Sequence, residues 1–357
     1  MTVRPTDEAQ PIARSRWRAG WLGTLARSRE LKLFAVLIAI CIAIALREPR
    51  FLQLANLEQV ALSGTLVVIV ALGQALLIVG RQIDLSVGAM TASSAFAAAS
   101  WLAANPDAPV LVAALIGIGV GVLLGAGNAV LVAGLRIPAI VATLGTLAIY
   151  RGGIIVFAGG KQISATILPD SYAAVASTHI LGLSPLIWIA LGLTIAIGWV
   201  ARYTRLGRNI YALGSNPEGA EFAGIPVRRH LAFLFLLSGG LCGLAGVLWG
   251  SRFGTVDAVI APDLQLQTIS AAVVGGVSIF GGSGSVYGAA IGALIFMVLQ
   301  NGVQMVGLDQ FWIQGLIGAA ILATVIFYSR LTQSSDESRT GIRPLIDRIG
   351  RRRGGKK

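Results

Sequence analysis

The chain has 357 residues, of which 55% are hydrophobic and only 12% are charged, against about 25% charged residues in a typical soluble domain. This composition excludes a soluble enzyme, a disordered chain and a disulfide scaffold, and it predicts an all-α protein that crosses a membrane many times. The formal net charge is +12. Because the basic residues flank apolar segments, we interpret them as a signal of membrane orientation and not of nucleic-acid binding.

Ten apolar segments are predicted to cross the bilayer, since about 20 mainly apolar residues are needed to span about 30 Å of hydrocarbon. The first segment is short and follows a basic stretch, as in a secretory signal peptide. That basic stretch is too long for a signal peptide, and Arg47 follows the apolar run directly, so we interpret the segment as an uncleaved span. The ten segments are 31–46, 57–79, 85–104, 109–134, 138–158, 180–200, 231–250, 264–281, 286–306 and 311–328.

The positions of the basic residues predict the orientation of the chain. Residues 1–30 and 329–357 form basic tails, and residues 201–230 form a basic loop between two spans. With ten spans, both tails and this loop lie on the same side of the membrane, and basic segments remain in the cytoplasm. We therefore predict one transmembrane domain, residues 31–328, with both termini cytoplasmic.

The loop 201–230 contains a short helix with its own start and stop signals. Asn216 suits the N-cap, Pro217 the first helical position and Gly224 the residue after the C-cap. A helix of about seven residues is unstable alone in water, so it packs either on the chain's own spans or on a cytoplasmic partner. We favour a partner, with two acids on one face and a phenylalanine anchor. The residues predicted to form this docking element are Asn216, Pro217, Glu218, Glu221, Phe222 and Gly224.

Polar side chains recur inside the predicted spans and are candidates for a translocation path. Hydroxyl and amide groups can bind a neutral polyol, and four aromatic rings can supply flat apolar faces, those of Tyr150, Phe157, Trp249 and Phe253; hydrogen bonds between helices are the alternative. A charged group at this depth is costly unless it is paired or hydrated, although Asp84 can instead cap the helix that follows it. The candidates are Gln74, Asp84, Ser86, Thr143, Thr146, Tyr150, Arg151, Gln267 and Asn301.

Several kinds of chemistry have no signature in the sequence. The spans hold no series of acids or histidines for a proton relay, and we find neither a metal-ligand cluster nor a nucleophile arrangement. The segment 159–162 lacks the glycine spacing and the hydroxyl residue of a phosphate-binding loop. We therefore expect no catalysis and no cofactor in this chain, and the energy for uphill transport has to come from another protein.

Four segments together resemble a known family. They are 80–88, with Ile-Asp-Leu-Ser-Val-Gly, then 142–152, 204–224 and 271–284. The chain from about 56 to 328 resembles the permease subunits of bacterial ABC importers for monosaccharides, the class that takes up ribose, xylose, rhamnose and autoinducer 2. Two features depart from the pattern: Gln82, where many relatives have a smaller residue, and the basic tail after Arg330, for which we expect at most an attraction to anionic lipid.

The resemblance implies a ten-helix type II importer fold in the bacterial inner membrane. It also implies a second permease chain, identical or not, a periplasmic sugar-binding protein, and a cytoplasmic ATPase that binds ATP and Mg and docks on the coupling helix within 204–224. Two alternatives remain at this point. One is an ATP-independent secondary transporter or facilitator, and the other is an ABC permease for another small polar solute, such as a branched-chain amino acid or a nucleoside.

Overall fold

The computed structural model describes residues 29–307 and five single residues beyond them, Trp312, Gly315, Gly318, Ala319 and Leu322. Over this part the chain is helical, and its only β contacts are two isolated bridges. The predicted N-terminal tail up to residue 28, the predicted C-terminal tail 329–357 and most of the tenth predicted span, 311–328, lie outside the described residues.

Twelve α-helices follow one another in the described part of the chain. A 3-10 turn, Pro49–Leu52, precedes the second helix, and a π-helical turn, Val130–Gly134, extends the fourth. The helices are α1 Arg29–Arg47, α2 Leu54–Val79, α3 Val87–Ala104, α4 Val110–Ala129, α5 Ala139–Ala158, α6 Asp170–Ser177, α7 Pro185–Tyr203, α8 Arg205–Ser215, α9 Pro217–Phe222, α10 Val227–Phe253, α11 Leu264–Val274 and α12 Val286–Met305.

Seven of the described helices are long and apolar enough to cross a membrane: α2, α3, α4 with its π turn, α5, α7, α10 and α12. Helix α1 has 19 residues, but Arg29, Glu30, Lys32 and Arg47 lie at its ends. The prediction of a helical, multi-pass membrane protein is thus confirmed, whereas the count of ten spans is not.

The predicted continuous span 264–281 is wrong. Its helix, α11, has 11 residues, which is about 16 Å and roughly half the thickness of the hydrocarbon core. The helix ends because Gly276 has a φ of +91° and the Val277 N–H bonds back to the Ala272 carbonyl at 2.9 Å. This hydrogen-bonding pattern ends a helix. The apolar run 264–281 therefore does not form a single membrane-spanning helix.

This stretch nevertheless passes from one end of the helical bundle to the other. On one side of α11, the Ile163 N–H bonds to the Val256 carbonyl at 2.9 Å, close to α6; on the other side, the Gly282 N–H bonds to the Val79 carbonyl at 2.8 Å, close to α8. We call these the α6 end and the α8 end of the bundle. The passage between them consists of an irregular segment, 254–263, followed by the half-length helix α11.

Helix α10 lies at the centre of the bundle and packs against α2, α3 and α4. Small residues allow this packing, as the small-residue spacing predicts. At Gly121 in α4, a Cβ atom would collide with the carbonyl oxygen of Gly239 in α10. The two backbones therefore touch, and α4 and α10 pack too closely for a solute to pass between them there.

Candidate substrate cavity and coupling helix

A cavity of about 430 Å³ lies between α2, α10, α11 and α12. Gln59 and Phe253, which lie on its wall, are in the parts of α2 and α10 nearest the α6 end. The irregular segment before α11 contributes a further part of the wall. The lining residues are Gln59, Val60, Ser63, Leu66, Val67, Trp249, Phe253, Ala261, Pro262, Asp263, Leu264, Gln267, Met297, Gln300, Asn301 and Gln304.

The cavity combines amide groups with an aromatic pair. Five of its side chains are primary amides, which both donate and accept hydrogen bonds. The rings of Trp249 and Phe253 lie 4.6 Å apart between centroids, at an angle of 45°. A mostly apolar wall with a few convergent polar groups is typical of a small-molecule site. Such a wall can bind the hydroxyls and the apolar face of a small polyol.

Contacts behind the cavity hold two of its amides in place. Asn301 and Asn56 exchange two hydrogen bonds between their side chains, at 3.0 and 2.9 Å. The guanidinium of Arg252 donates to the Gln59 carbonyl oxygen and lies 5.7 Å from the centre of the Phe253 ring. These side chains are therefore oriented before any solute arrives, which lowers the entropic cost of binding.

Two of the nine predicted path residues, Gln267 and Asn301, line this cavity. Three others, Asp84, Ser86 and Tyr150, belong to a separate network inside the bundle. The Asp84 carboxylate accepts hydrogen bonds from the Ser86 N–H at 2.8 Å and the Ser86 hydroxyl at 2.7 Å, and from the Asn128 amide at 3.2 Å. The expectation that Asp84 caps α3 is wrong: Ser86 is the N-cap residue, and Asp84 binds the segment just before the helix because its carboxylate accepts from the N–H and hydroxyl of Ser86.

Asn128 was not among the predicted path residues, yet it joins the parts of this network. Its amide nitrogen donates to the Ser86 hydroxyl at 2.8 Å, and its carbonyl oxygen accepts from the Tyr150 hydroxyl at 3.4 Å. The same Tyr150 hydroxyl also donates to the Leu124 carbonyl at 2.8 Å. The network therefore links α4 and α5 to the segment before α3.

The remaining predicted path residues are tied to backbone or buried. Thr143 donates to the Ala139 carbonyl at 2.8 Å and Thr146 to the Thr143 carbonyl at 3.3 Å. Arg151, for which the sequence offers no partner, donates to two carbonyls in the irregular segment, those of Ala258 at 2.9 Å and Ile260 at 3.1 Å. Gln74 is fully buried in α2, and within the described residues its amide has no hydrogen-bond partner. Their role in the path stays a prediction.

Sequence reasoning missed four polar residues of the cavity, Gln59, Ser63, Asp263 and Gln300; a fifth, Gln304, was recognised as a polar residue of a predicted span but was not among the nine candidates. A signal was present for one of them, because Gln300 belongs to a group of amides with Asn301 and Gln304 near the end of an otherwise apolar helix. Gln59 and Ser63 lie four residues apart on α2, and Asp263 directly precedes α11, so only the tertiary structure brings these two elements to the same cavity.

The short helix predicted within 201–230 is present as α9. The Asn216 side chain accepts a hydrogen bond from the Gly219 N–H at 3.0 Å, and Gly224 has a φ of +79° after the last turn. Phe222 is 92% exposed, and the carboxylates of Glu218 and Glu221 are also exposed. The caps are those that the sequence predicts, and the docking role of the helix stays a prediction.

A second helix in the same loop, α8, was not predicted. Its buried residues Ile210 and Leu213 face the bundle. Burial raises the pKa of the Tyr211 phenol, and its hydroxyl donates to the Gly284 carbonyl at 2.8 Å. The spacing of Leu206, Ile210 and Leu213 is the helical signal that could have revealed it. Helix α8 attaches the exposed α9 to the bundle.

Comparison with known proteins gives a consistent result. Residues 56–325 match the family described as the permease component of the branched-chain amino acid transport system. The chain is 35% identical over 87% of its length to the autoinducer 2 import system permease protein LsrC of Klebsiella pneumoniae, of which 89% is covered. It is 32% identical over 86% of its length to the protein of the same name from Escherichia coli, of which 89% is covered. No solved structure matches the chain.

These matches confirm the resemblance found in the sequence, and they describe a membrane permease component. Because the family match covers most of the chain, and relatives above 30% identity cover nearly all of it, the chain belongs to the permease-component family of ABC import systems.

Proposed function

We propose that this chain is the translocating subunit of an ATP-driven importer that carries a monosaccharide, of pentose or deoxyhexose type, across the bacterial inner membrane. One observation carries the proposal: α9 is a capped helix of six residues that presents Phe222 almost entirely to solvent. So short a helix gains little stability by itself. A partner that covers Phe222 would give this exposed apolar side chain a burial site.

The partner for α9 is a cytoplasmic ATPase, which also binds the ATP and Mg. Glu218 and Glu221 lie on the same short helix as Phe222, and all three are exposed, so the docking surface has to offer an apolar groove with cations beside it. Four exposed arginines at the α8 end support its placement in the cytoplasm, together with both termini of the chain; they are Arg205, Arg208, Arg228 and Arg229.

The cavity supports a neutral polyol as the solute. The family description names branched-chain amino acids, whereas the relatives are named for autoinducer 2, so membership alone does not select the solute. Among the residues that line the cavity, the one ionisable side chain is the acid Asp263, and none is basic. The carboxylate of an amino acid would meet no cation there, whereas hydroxyls match the amides.

Transport then proceeds by alternating access. A periplasmic binding protein delivers the solute at the α6 end, where Gln59 and Phe253 border the cavity. Closure of the ATPase on ATP displaces α9 at the opposite end, and the helices rearrange so that the cavity opens toward the cytoplasm. A second permease chain completes the path and doubles the docking surface. This subunit supplies the path and the coupling, and no catalytic step.

The test is uptake into proteoliposomes that contain the chain co-purified with its ATPase. Labelled D-ribose, L-rhamnose, autoinducer 2, leucine and uridine are offered with the binding protein, with ATP or ADP inside the liposomes. We expect uptake of a sugar or of autoinducer 2 with ATP only. Uptake of leucine alone would contradict the solute class, and uptake without the ATPase would indicate a secondary transporter.

A variant pair tests the docking role of α9. Phe222→Ala removes the exposed anchor at the α8 end, whereas Leu181→Ala removes a side chain that is 88% exposed beside α6, at the other end. We expect the first substitution to reduce the amount of ATPase that co-purifies and to abolish ATP-driven uptake. The second should leave both unchanged. Equal ATPase recovery from the two variants would contradict a docking role for Phe222.

A further inference from the structure

Arg81 lies at the α8 end, between the end of α2 and the segment that leads to Asp84. Its φ is +60°, a conformation that residues with a Cβ atom rarely adopt. Such a conformation costs free energy and persists where the surrounding contacts hold it.

The guanidinium of Arg81 joins two other parts of the chain. Its Nε donates to the Phe280 carbonyl at 2.8 Å, and its Nη2 donates to the Ser215 carbonyl at 3.0 Å. Phe280 belongs to the turn between α11 and α12, and Ser215 is the last residue of α8. The rigid fork of donors in a guanidinium suits such a bridge. Both acceptors are backbone carbonyls, so the bridge is attached to the backbone of the two segments and moves with it.

Backbone contacts complete a three-way joint around Arg81. The Gly282 N–H bonds to the Val79 carbonyl at 2.8 Å, which ties the α11–α12 turn to α2. Gly214, in the last turn of α8, packs directly against the same Val79 carbonyl, where a Cβ atom would not fit. The ends of α2 and α8 and the turn before α12 therefore contact one another, and Arg81 donates hydrogen bonds to two of these three segments.

Three stretches of chain lead away from the joint: one reaches the exposed helix α9, and two lead into the bundle. Ser215 directly precedes Asn216, the N-cap of α9. From Arg81, the chain continues to Asp84 and its network at the start of α3. From Phe280, it leads back into α11, whose Gln267 lines the cavity. A displacement of α9 that passes through the joint reaches both places.

We propose that Arg81 is a positioning residue that transmits the movement of α8 and α9 to α11 and to the segment before α3. The inference rests on the proposed function, because it assumes that an ATPase displaces α9. Without the guanidinium, the α2–α3 segment loses its bonds to Phe280 in the turn and to Ser215 at the end of α8, whereas the Tyr211 bond to the Gly284 carbonyl remains. The ATPase then still docks and hydrolyses ATP, but its conformational changes no longer open and close the cavity.

Arg136 offers a matched control. It also has a φ of +60° and an exposed side chain, and it lies in the turn between α4 and α5. Within the described residues, no hydrogen bond or ion pair is found for its guanidinium. Arg136→Gln therefore removes the same charge from the same backbone conformation without breaking a bridge.

The experiment measures uptake and ATP hydrolysis together in proteoliposomes that hold the complete importer, with the solute that the unmodified complex transports. We expect Arg81→Gln to lower the uptake per ATP hydrolysed about tenfold, since hydrogen bonds to charged groups contribute that much to an equilibrium. ATP hydrolysis and ATPase recovery should stay within about twofold of the unmodified complex. Arg136→Gln should leave all three quantities unchanged.

The uptake-to-hydrolysis ratio separates coupling from mere damage, because a poorly folded permease loses uptake and stimulated hydrolysis together. An unchanged ratio in Arg81→Gln, or an equal loss in Arg136→Gln, would overturn the role of Arg81 while leaving the proposed function intact. Absence of ATP-driven uptake in the unmodified complex would overturn the proposed function itself. Should Arg81→Gln not accumulate in the membrane, Arg81→Lys replaces it under the same criterion.

Discussion

Two sides of the bundle contain similar residues but are packed in different ways. On the closed side, α3 and α4 pack against α10, and the polar groups of Asp84, Ser86 and Asn128 bind one another. On the cavity side, α11 borders open space, and Gln267 and Asn301 face it. On the closed side, these three polar groups bind one another, whereas on the cavity side amides such as that of Gln267 face the space that a solute would occupy.

This difference shows how polar residues in apolar helices divide between structure and transport. A buried group whose hydrogen bonds are made by fixed neighbours stabilises the packing. A group at the wall of a cavity has room to exchange partners, and can therefore bind and release a solute. Four experiments test the distinction, from the largest expected effect to the smallest.

Asp84→Ala should have the largest effect on stability. It leaves the Ser86 N–H and part of the Asn128 amide buried without their acceptor, and we expect the free energy of unfolding in bicelles to fall by about 3 kcal/mol. Asp107→Ala, in the exposed turn after α3, is the control and should change it little. An unchanged or raised stability for Asp84→Ala would mean that burying the carboxylate costs more than its hydrogen bonds return.

Gly121→Ala should destabilise the closed side by about 2 kcal/mol, the usual cost of overpacking. The added methyl group would meet the Gly239 carbonyl, so α4 and α10 have to move apart. Gly119 lies in the same helix, with open space where its Cβ would be, and Gly119→Ala should cause no loss. The measurement is the thermal unfolding midpoint of the two purified variants. Equal midpoints would show that the contact between Gly121 and Gly239 does not limit the stability of the closed side.

Gln267→Ala should affect transport and not stability. Loss of one hydrogen bond to the solute predicts a KM for uptake that is raised three- to tenfold, about 1 kcal/mol, with an unchanged unfolding midpoint. Gln162→Ala, in the exposed segment after α5, serves as the control for loss of an amide. A normal KM with a lowered unfolding midpoint would place Gln267 in the structural class together with Asp84.

The Asn56–Asn301 pair should give the smallest effect. Both side chains contact each other twice, yet hydrogen bonds between membrane helices average only about 0.6 kcal/mol. We expect a double-mutant cycle of Asn56→Ala and Asn301→Ala to give a coupling energy of that size in unfolding experiments. A coupling energy well above this value would mean that the pair mainly stabilises the packing, like the polar groups of the closed side, although Asn301 lines the cavity.

Local signals in the sequence were sufficient where a single segment decides its own structure. The caps of α9 follow from Asn216, Pro217 and Gly224, and the long apolar runs follow from composition alone. The break at Gly276 was not foreseeable from hydropathy, because residues on both sides of it are apolar. Helix α8 was missed because its three spaced apolar residues lie within a basic loop.

The candidate site was only partly predictable for a related reason. Polar residues in spans are easy to find, but their partners come from distant parts of the chain. Asp84 meets Asn128 from α4, and Arg151 binds carbonyls of the segment before α11. Gln59 and Gln267 reach the same cavity from α2 and α11. None of these pairings has a signature in the spacing of residues.

By itself, the sequence determined that this protein is a helical, multi-pass membrane protein, and it predicted a capped helix at the surface; the ABC import family came from the resemblance of four segments. Composition, periodicity and capping are local properties, and a low-dielectric bilayer leaves an apolar segment little choice but a helix. The tertiary structure alone decided which polar groups bind one another and which face a cavity. The reason is that burial and hydrogen bonding inside a bundle depend on which helices pack together, and this is a property of the whole chain.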